Sequence, residues 1–226
     1  MSASKRAIAI VSGGMDSVTL AYLLTSEGYD LHLLSFDYGQ RHRKELEFAA
    51  RCAAQLGAQH DVVDLSSLTS LLKGSALTDA GVAVPDGHYA QENMRITVVP
   101  NRNAMMLSIA FAVAVAEGAV VVGAGIHAGD HTIYPDCRPA FARAFDAMQH
   151  LAVEGFGDVT LRLYTPFVDV TKANIVTIGH RLGVAYELTW SCYKGGEVHC
   201  GTCGTCVERR EAFELAGVPD PTRYAA

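Results

Sequence analysis

The sequence predicts an α/β fold: a Rossmann-like, doubly wound parallel sheet carrying a small metal-binding appendage at its C-terminus. Three observations support this expectation. Apolar runs of strand length alternate with helical patterns, the signature of βαβ units. The string Ser12-Gly13-Gly14-Met15-Asp16-Ser17 follows the first such run directly. Four cysteines then crowd the stretch from 192 to 206.

Residues 7–11 are the first strand. In the helix behind it, Leu20, Leu23 and Leu24 share one face, and Gly28 suits its C-terminal cap. Residues 31–36 read as strand two, Lys44–Leu56 as a helix ended by Gly57, and residues 61–65 as strand three. Between 66 and 95 periodicity fades while glycine, proline and polar residues accumulate, which indicates a long insertion or lid. Arg102–Glu117 is apolar on nearly every side through Met105, Met106, Ile109, Phe111 and Val113, so it is expected to be central and buried. Residues 119–122 are strand four, and the polar stretch 123–138 leaves its carboxyl end, where open α/β sheets bind ligands. A helix over 139–154, a strand over 161–164 and a helix over 171–182 capped by Gly183 complete the pattern. The expected division is a nucleotide domain over 1–185 with a metal-binding segment, 186–226, packed on it.

The chain has 226 residues, 50% hydrophobic and 19% charged, an ordinary globular balance. No uninterrupted run of about eighteen apolar residues points to a membrane span. Residues 1–6 hold two basic residues, but the apolar run behind them is too short for a secretory leader, so the cytoplasm is the expected location. The net charge of −6 and the absence of any basic run longer than Arg41-His42-Arg43-Lys44 argue against stable nucleic-acid binding.

Two adjacent glycines let a backbone turn and aim successive N–H groups at an anion, while the next helix offers its positive end. Ser12 and Ser17 add hydroxyl donors. The loop lacks the lysine of a Walker motif and the spaced glycines of a dinucleotide fingerprint. Asp16 would repel a phosphate unless a divalent cation lay between them, which implies magnesium. Val11, Ser12, Gly13, Gly14, Met15, Asp16, Ser17 and Val18 are therefore the candidate ATP-binding residues.

Cys192, Cys200, Cys203 and Cys206 form overlapping C-x-x-C units. Four thiolates satisfy tetrahedral zinc and leave no open position for substrate, so a structural zinc is expected; an iron–sulfur cluster uses the same ligands. Such a zinc contributes roughly 10–16 kcal/mol in small metal-dependent folds. His199 adjoins Cys200, and adjacent residues rarely point at one ion. Cys52 sits in an apolar helical pattern as a core residue, and Cys137 stands alone.

The Ser-Gly-Gly-x-Asp-Ser loop resembles that of the ATP-pyrophosphatase (PP-loop) superfamily, whose adenine nucleotide alpha hydrolase-like members split ATP between the α and β phosphates. Further strings narrow the likeness: residues 37–42 (DYGQRH), 99–103 (VPNRN), 129–131 (GDH), 134–138 (YPDCR), 165–166 (TP) with Lys172, 189–195 (TWSCYKG), the cysteine cluster and 220–222 (DPT). Together they resemble the 7-cyano-7-deazaguanine synthases of the queuosine pathway, almost from end to end. The resemblance implies conversion of 7-carboxy-7-deazaguanine and ammonia to the nitrile, with two rounds of ATP-dependent adenylation, by a homodimer. Asp16 and Lys172 are then catalytic candidates at the phosphates. Arg102 joins them, its bidentate fork suiting a phosphate or the substrate carboxylate. Asp130 or Asp136 is the candidate acceptor for the N1–H and amino groups of the base. Tyr38, His42 and Arg138 complete the candidate substrate residues. A tRNA-modifying PP-loop enzyme is the competing reading, and a nucleotide-binding module without turnover is a third.

Overall fold

Five parallel strands lie in the order β3-β2-β1-β4-β5: β1 (Arg6–Ile10), β2 (Asp30–Asp37), β3 (Gln59–Asp64), β4 (Val121–Gly123) and β5 (Arg162–Tyr164). These positions come from a computed structural model, which describes residues 5–79, 81–89 and 91–225. Residues 1–4, part of the charged start, lie outside the described residues.

Side chains alternate across β1, so each face of the sheet takes its own set. Ala7, Ala9 and Val11 pack with α1 (Met15–Ser26), α2 (Lys44–Leu56), α6 (Lys172–Arg181) and α7 (Gly204–Ala216) through Leu20, Ala49, Ile175 and Phe213. Ile8, Leu34, Phe36 and Val122 pack on the other face with α4 (Arg102–Glu117) and α5 (Pro139–Ala152) through Phe111 and Phe145. The sheet is thus covered on both sides, as a parallel sheet requires. Chain order reverses between β1 and β4, and a crevice opens at the carboxyl ends of those two strands.

The structure corrects one expectation, for α4, and adds detail to two others. α4 is not buried all round: Met106, Leu107, Ala110, Phe111 and Ala114 face the sheet, whereas Ser108 and Ala112 are exposed. The stretch Arg95–Glu117 is long and apolar enough to cross a membrane by length and composition, yet one face of α4 is core. The insertion between 66 and 95 contains the short helix α3 (Gln91–Met94) and is anchored to the C-terminal segment: Gly87 N donates to Thr202 O at 2.9 Å, and Lys194 Nζ meets Asp86 Oδ1 at 2.6 Å. Finally, the C-terminal segment carries α7, which packs on the main core. Ala212 and Phe213 belong to the same cluster as Ala9, while Trp190, Cys192, Cys203 and Cys206 gather with Phe48 of α2 in a smaller cluster of their own.

Candidate active site

The phosphate loop begins where β1 ends. Gly13 has φ +82°, and a Cβ there would lie 2.2 Å from Glu45 O on α2, so only glycine lets the loop press against that helix. Trp190 N donates to Gly13 O at 2.8 Å, tying the loop to the C-terminal segment. Ser12 N donates to Ser17 Oγ at 3.2 Å, and Ser17 Oγ donates to Gly14 O at 3.1 Å. Gly14 is the N-cap of α1 and supplies no side-chain acceptor, and the first helical bond is Val18 N to Gly14 O. The first-turn amides of Met15, Asp16 and Ser17 are therefore available to an anion. Val18 itself points into the core at 2% exposure, so its expected ligand role reduces to supporting the turn.

Asp16 carries the most informative atom of the loop. Its Oδ1 is buried with no hydrogen-bond partner, while Oδ2 lies 3.3 Å from Lys172 Nζ and 3.8 Å from His127 Nε2. An orphaned hard oxygen beside a phosphate-type loop fits a divalent cation such as magnesium. Lys172 opens α6 directly after its N-cap Thr171, whose side chain accepts from Asn174 N. Rather than extending into solvent, it reaches the crevice and donates to Glu208 Oε2 at 2.6 Å. Asp16 and Glu208 hold its pKa well above the usual lysine range against the opposing effect of burial. Burial in turn pushes the Glu208 carboxyl up, partly offset by Lys172. Glu208 went unread in the sequence because its only local signal is a charged helix.

The same crevice holds Asp130 and His127. Tyr89 donates its hydroxyl to Asp130 Oδ1 at 2.8 Å. Gly129 N donates to His127 Nδ1 at 3.1 Å, which leaves the proton on Nε2, 3.4 Å from Asp130 Oδ2. At the opposite end are Arg102, Tyr38, His42, Glu45 and Tyr193. Arg102 Nη1 donates to the Tyr38 hydroxyl at 3.3 Å, and among the described residues it has no ion-pair partner. Burial raises the Tyr38 hydroxyl to about 12 despite Arg102, lowers His42 to about 3 and lifts Glu45 to about 8.

Two expected substrate residues stand elsewhere. Asp136 accepts from Asn103 N at 2.9 Å, capping the first turn of α4, where the N-cap Asn101 is left-handed and gives no side-chain bond. Arg138 is exposed, and its Nε donates to His131 O at 2.8 Å. The YPDCR string thus shapes the crevice wall mainly through Cys137.

The sulfur atoms of Cys192, Cys200, Cys203 and Cys206 all lie within 4.8 Å of one another, with 3.9 Å between those of Cys200 and Cys206. Tetrahedral bonds of about 2.3 Å place sulfurs about 3.8 Å apart, so this set fits one metal ion. Backbone N–H groups of Thr202 and Cys203 donate to Cys200 Sγ at 3.4 and 3.2 Å, holding that sulfur in the cluster. His199 is no ligand: its Nε2 accepts from Ser191 N at 3.1 Å and its ring lies tilted against Trp190, with centroids 4.3 Å apart.

A family model described as queuosine biosynthesis protein QueC matches residues 6–217. The chain belongs to the QueC family. A 7-cyano-7-deazaguanine synthase of Ruegeria pomeroyi is 60% identical over 220 residues, covering 97% of this chain and 94% of the relative. Another from Rhizobium meliloti is 61% identical over 219 residues, covering 97% and 92%. Among solved structures, the NMN synthetase of Francisella tularensis shares the fold at a TM-score of 0.52 with 15% identity, over 96% of this QueC chain and 79% of that one.

Proposed function

We infer that the chain is an ATP-dependent carbon–nitrogen ligase that converts 7-carboxy-7-deazaguanine and ammonia into 7-cyano-7-deazaguanine. The observation that carries this reading is one crevice joining a phosphate loop to an unpaired arginine, in a chain about 60% identical to synthases of that name. The carboxylate attacks the α-phosphorus of ATP and expels pyrophosphate, so one oxygen becomes a leaving group. Ammonia attacks the acyl carbon, and AMP and one proton depart to leave the amide. The amide oxygen then displaces pyrophosphate from a second ATP. Loss of AMP and the remaining N–H protons forms C≡N. Proximity of amine and activated acyl group contributes up to about 7–11 kcal/mol.

In this reading the amides of Met15, Asp16 and Ser17 hold the phosphates, and Lys172 neutralises developing charge while Glu208 fixes its position. Arg102 pairs with the substrate carboxylate. Magnesium, held by Asp16, supplies charge neutralisation at the phosphates. The cysteine centre holds zinc, because its sulfurs converge too tightly to surround a four-iron cluster, whose ligands stand on separate iron atoms. Reduced thiolates of this kind suit the cytoplasm, the compartment we assign. The active species is a homodimer: Met148, Leu151, Phe156 and Val159 are large, apolar and 45–95% exposed on one side of α5 and its following turn.

Incubation with the carboxylated base, labelled ammonium and Mg-ATP tests the reading. Labelled nitrile, AMP and pyrophosphate are the expected products, with the amide appearing in transit. ADP and phosphate as the only nucleotide products exclude it.

A further inference from the structure

Three carboxylates line the crevice, and they are differently placed. Asp16 belongs to the phosphate loop, and Asp130 has its oxygens turned to Tyr89 and His127. Glu45 stands apart in the first turn of α2, buried at 9% exposure. Gln40 Nε2 donates to its Oε1 at 3.3 Å, and His42 Nε2 lies 3.3 Å from its Oε2. Burial by itself holds Glu45 protonated, whereas the Gln40 hydrogen bond, the Arg102 charge and donors on a bound base favour its carboxylate. With Nε2 turned to that carboxylate, His42 Nδ1 is a bare acceptor, and it is buried at 2% residue exposure with no partner. Arg102, a pure donor, is near enough to act electrostatically on both residues. Aromatic rings border this end of the crevice: Tyr38 beside Arg102, and Tyr193 at 5.0 Å from the His42 ring.

A planar heterocycle entering here meets donors from one residue and acceptors from two. The lactam edge of a guanine-type base offers the complement: an oxygen acceptor, then N1–H, then the 2-amino group. Adenine offers an amino donor and an N1 acceptor, which would set two acceptors against each other in a desolvated place. We propose that Glu45 is a specificity-determining residue that accepts hydrogen bonds from the N1–H and 2-amino groups of a guanine-type base, with His42 Nδ1 beside it and Arg102 toward the oxygen substituents. This assigns the base-reading role to Glu45 rather than to Asp130 or Asp136. It rests on the function inferred above only for the identity of the base.

Calorimetric titration of the wild type and Glu45→Gln tests the proposal, with 7-carboxy-7-deazaguanine, its 2-desamino analogue, 7-deazaguanine and a non-hydrolysable Mg-ATP analogue as probes. The wild type should favour the 2-amino form by about 10- to 100-fold, the cost of one unmade buried hydrogen bond. Glu45→Gln should lose that preference while holding the ATP analogue normally. If Glu45→Gln fails to fold, Glu45→Asp, which withdraws the carboxylate by one methylene, should show the same loss. A variant that keeps the preference, or that loses the ATP analogue instead, overturns the assignment. Binding of 7-deazaguanine with a Glu45-dependent preference, but none of the carboxylated base, leaves the assignment standing and refutes the function. A wild type that binds no guanine-type base overturns both.

Discussion

Asp16 shows how one side chain separates a binding loop from an ordinary strand-to-helix turn. Its orphaned Oδ1 contributes nothing to folding that the structure displays, and Lys172 keeps Glu208 without it. Asp16→Ala should therefore cost roughly 10²- to 10³-fold in turnover, the scale of one lost electrostatic contact in a site, with only a small drop in melting temperature from the lost Oδ2–Lys172 pair. Near-normal turnover would refute its role. Lys172 behaves oppositely. Its removal strands the buried Glu208, so Lys172→Met should destabilise by about 3–5 kcal/mol, whereas Lys172→Met with Glu208→Gln should recover much of that. Denaturant unfolding of the single and double variants measures the coupling. Glu45 gives a pH dependence whose sign follows from its raised carboxyl. From an ordinary 4.5 it rises to about 8, so the folded chain holds a proton that the unfolded chain releases. Stability from this group is present below about 4.5 and falls as pH rises toward about 8. Denaturation midpoints across that window should fall less in Glu45→Gln than in the wild type.

Among the elements, the strands were legible because their apolar runs are short and bounded by turn residues. Helix α7 was not. Its buried positions Cys206, Arg209, Ala212 and Phe213 recur at helical spacing, but the run Glu208-Arg209-Arg210-Glu211 reads as solvated charge. Only the structure shows Arg209 at 0% exposure, donating to Thr189 Oγ1 at 2.8 Å and Tyr186 O at 2.9 Å. α4 was misjudged for the converse reason, since apolarity on every side does not say which side the sheet covers. The function of α7 follows from its start. Cys203 is its N-cap and Cys206 lies in its first turn, so the metal centre fixes the helix that brings Glu208 to Lys172 and Thr205 to the crevice. Cys203→Ser should lose metal by elemental analysis and, with it, binding of the Mg-ATP analogue. Full ATP-analogue affinity in the metal-free variant would show that the centre only holds the tail.

At the scale of the whole molecule, the phosphate loop and the four cysteines were legible because each is contiguous and chemically distinctive. The rest of the crevice was legible only in part, since Glu45, Tyr89 and Tyr193 line it from segments far apart in sequence. Their convergence depends on how the insertion and the tail fold back over the sheet. What covers the opposite face is a matter of exposed area. Met148 and Leu151 share one stripe of α5, and Phe156 and Val159 follow shortly after it at 84% and 95% exposure. Four large apolar side chains left in water favour association, and a two-fold contact between identical patches closes without further growth. Light scattering should therefore give twice the chain mass of 24.1 kDa for the wild type. Leu151→Asp with Phe156→Asp should move the species to the single-chain mass at micromolar concentration, because charge is desolvated on both sides of such a contact. A wild type that stays monomeric at high concentration, or a double variant that stays dimeric, would place the interface elsewhere.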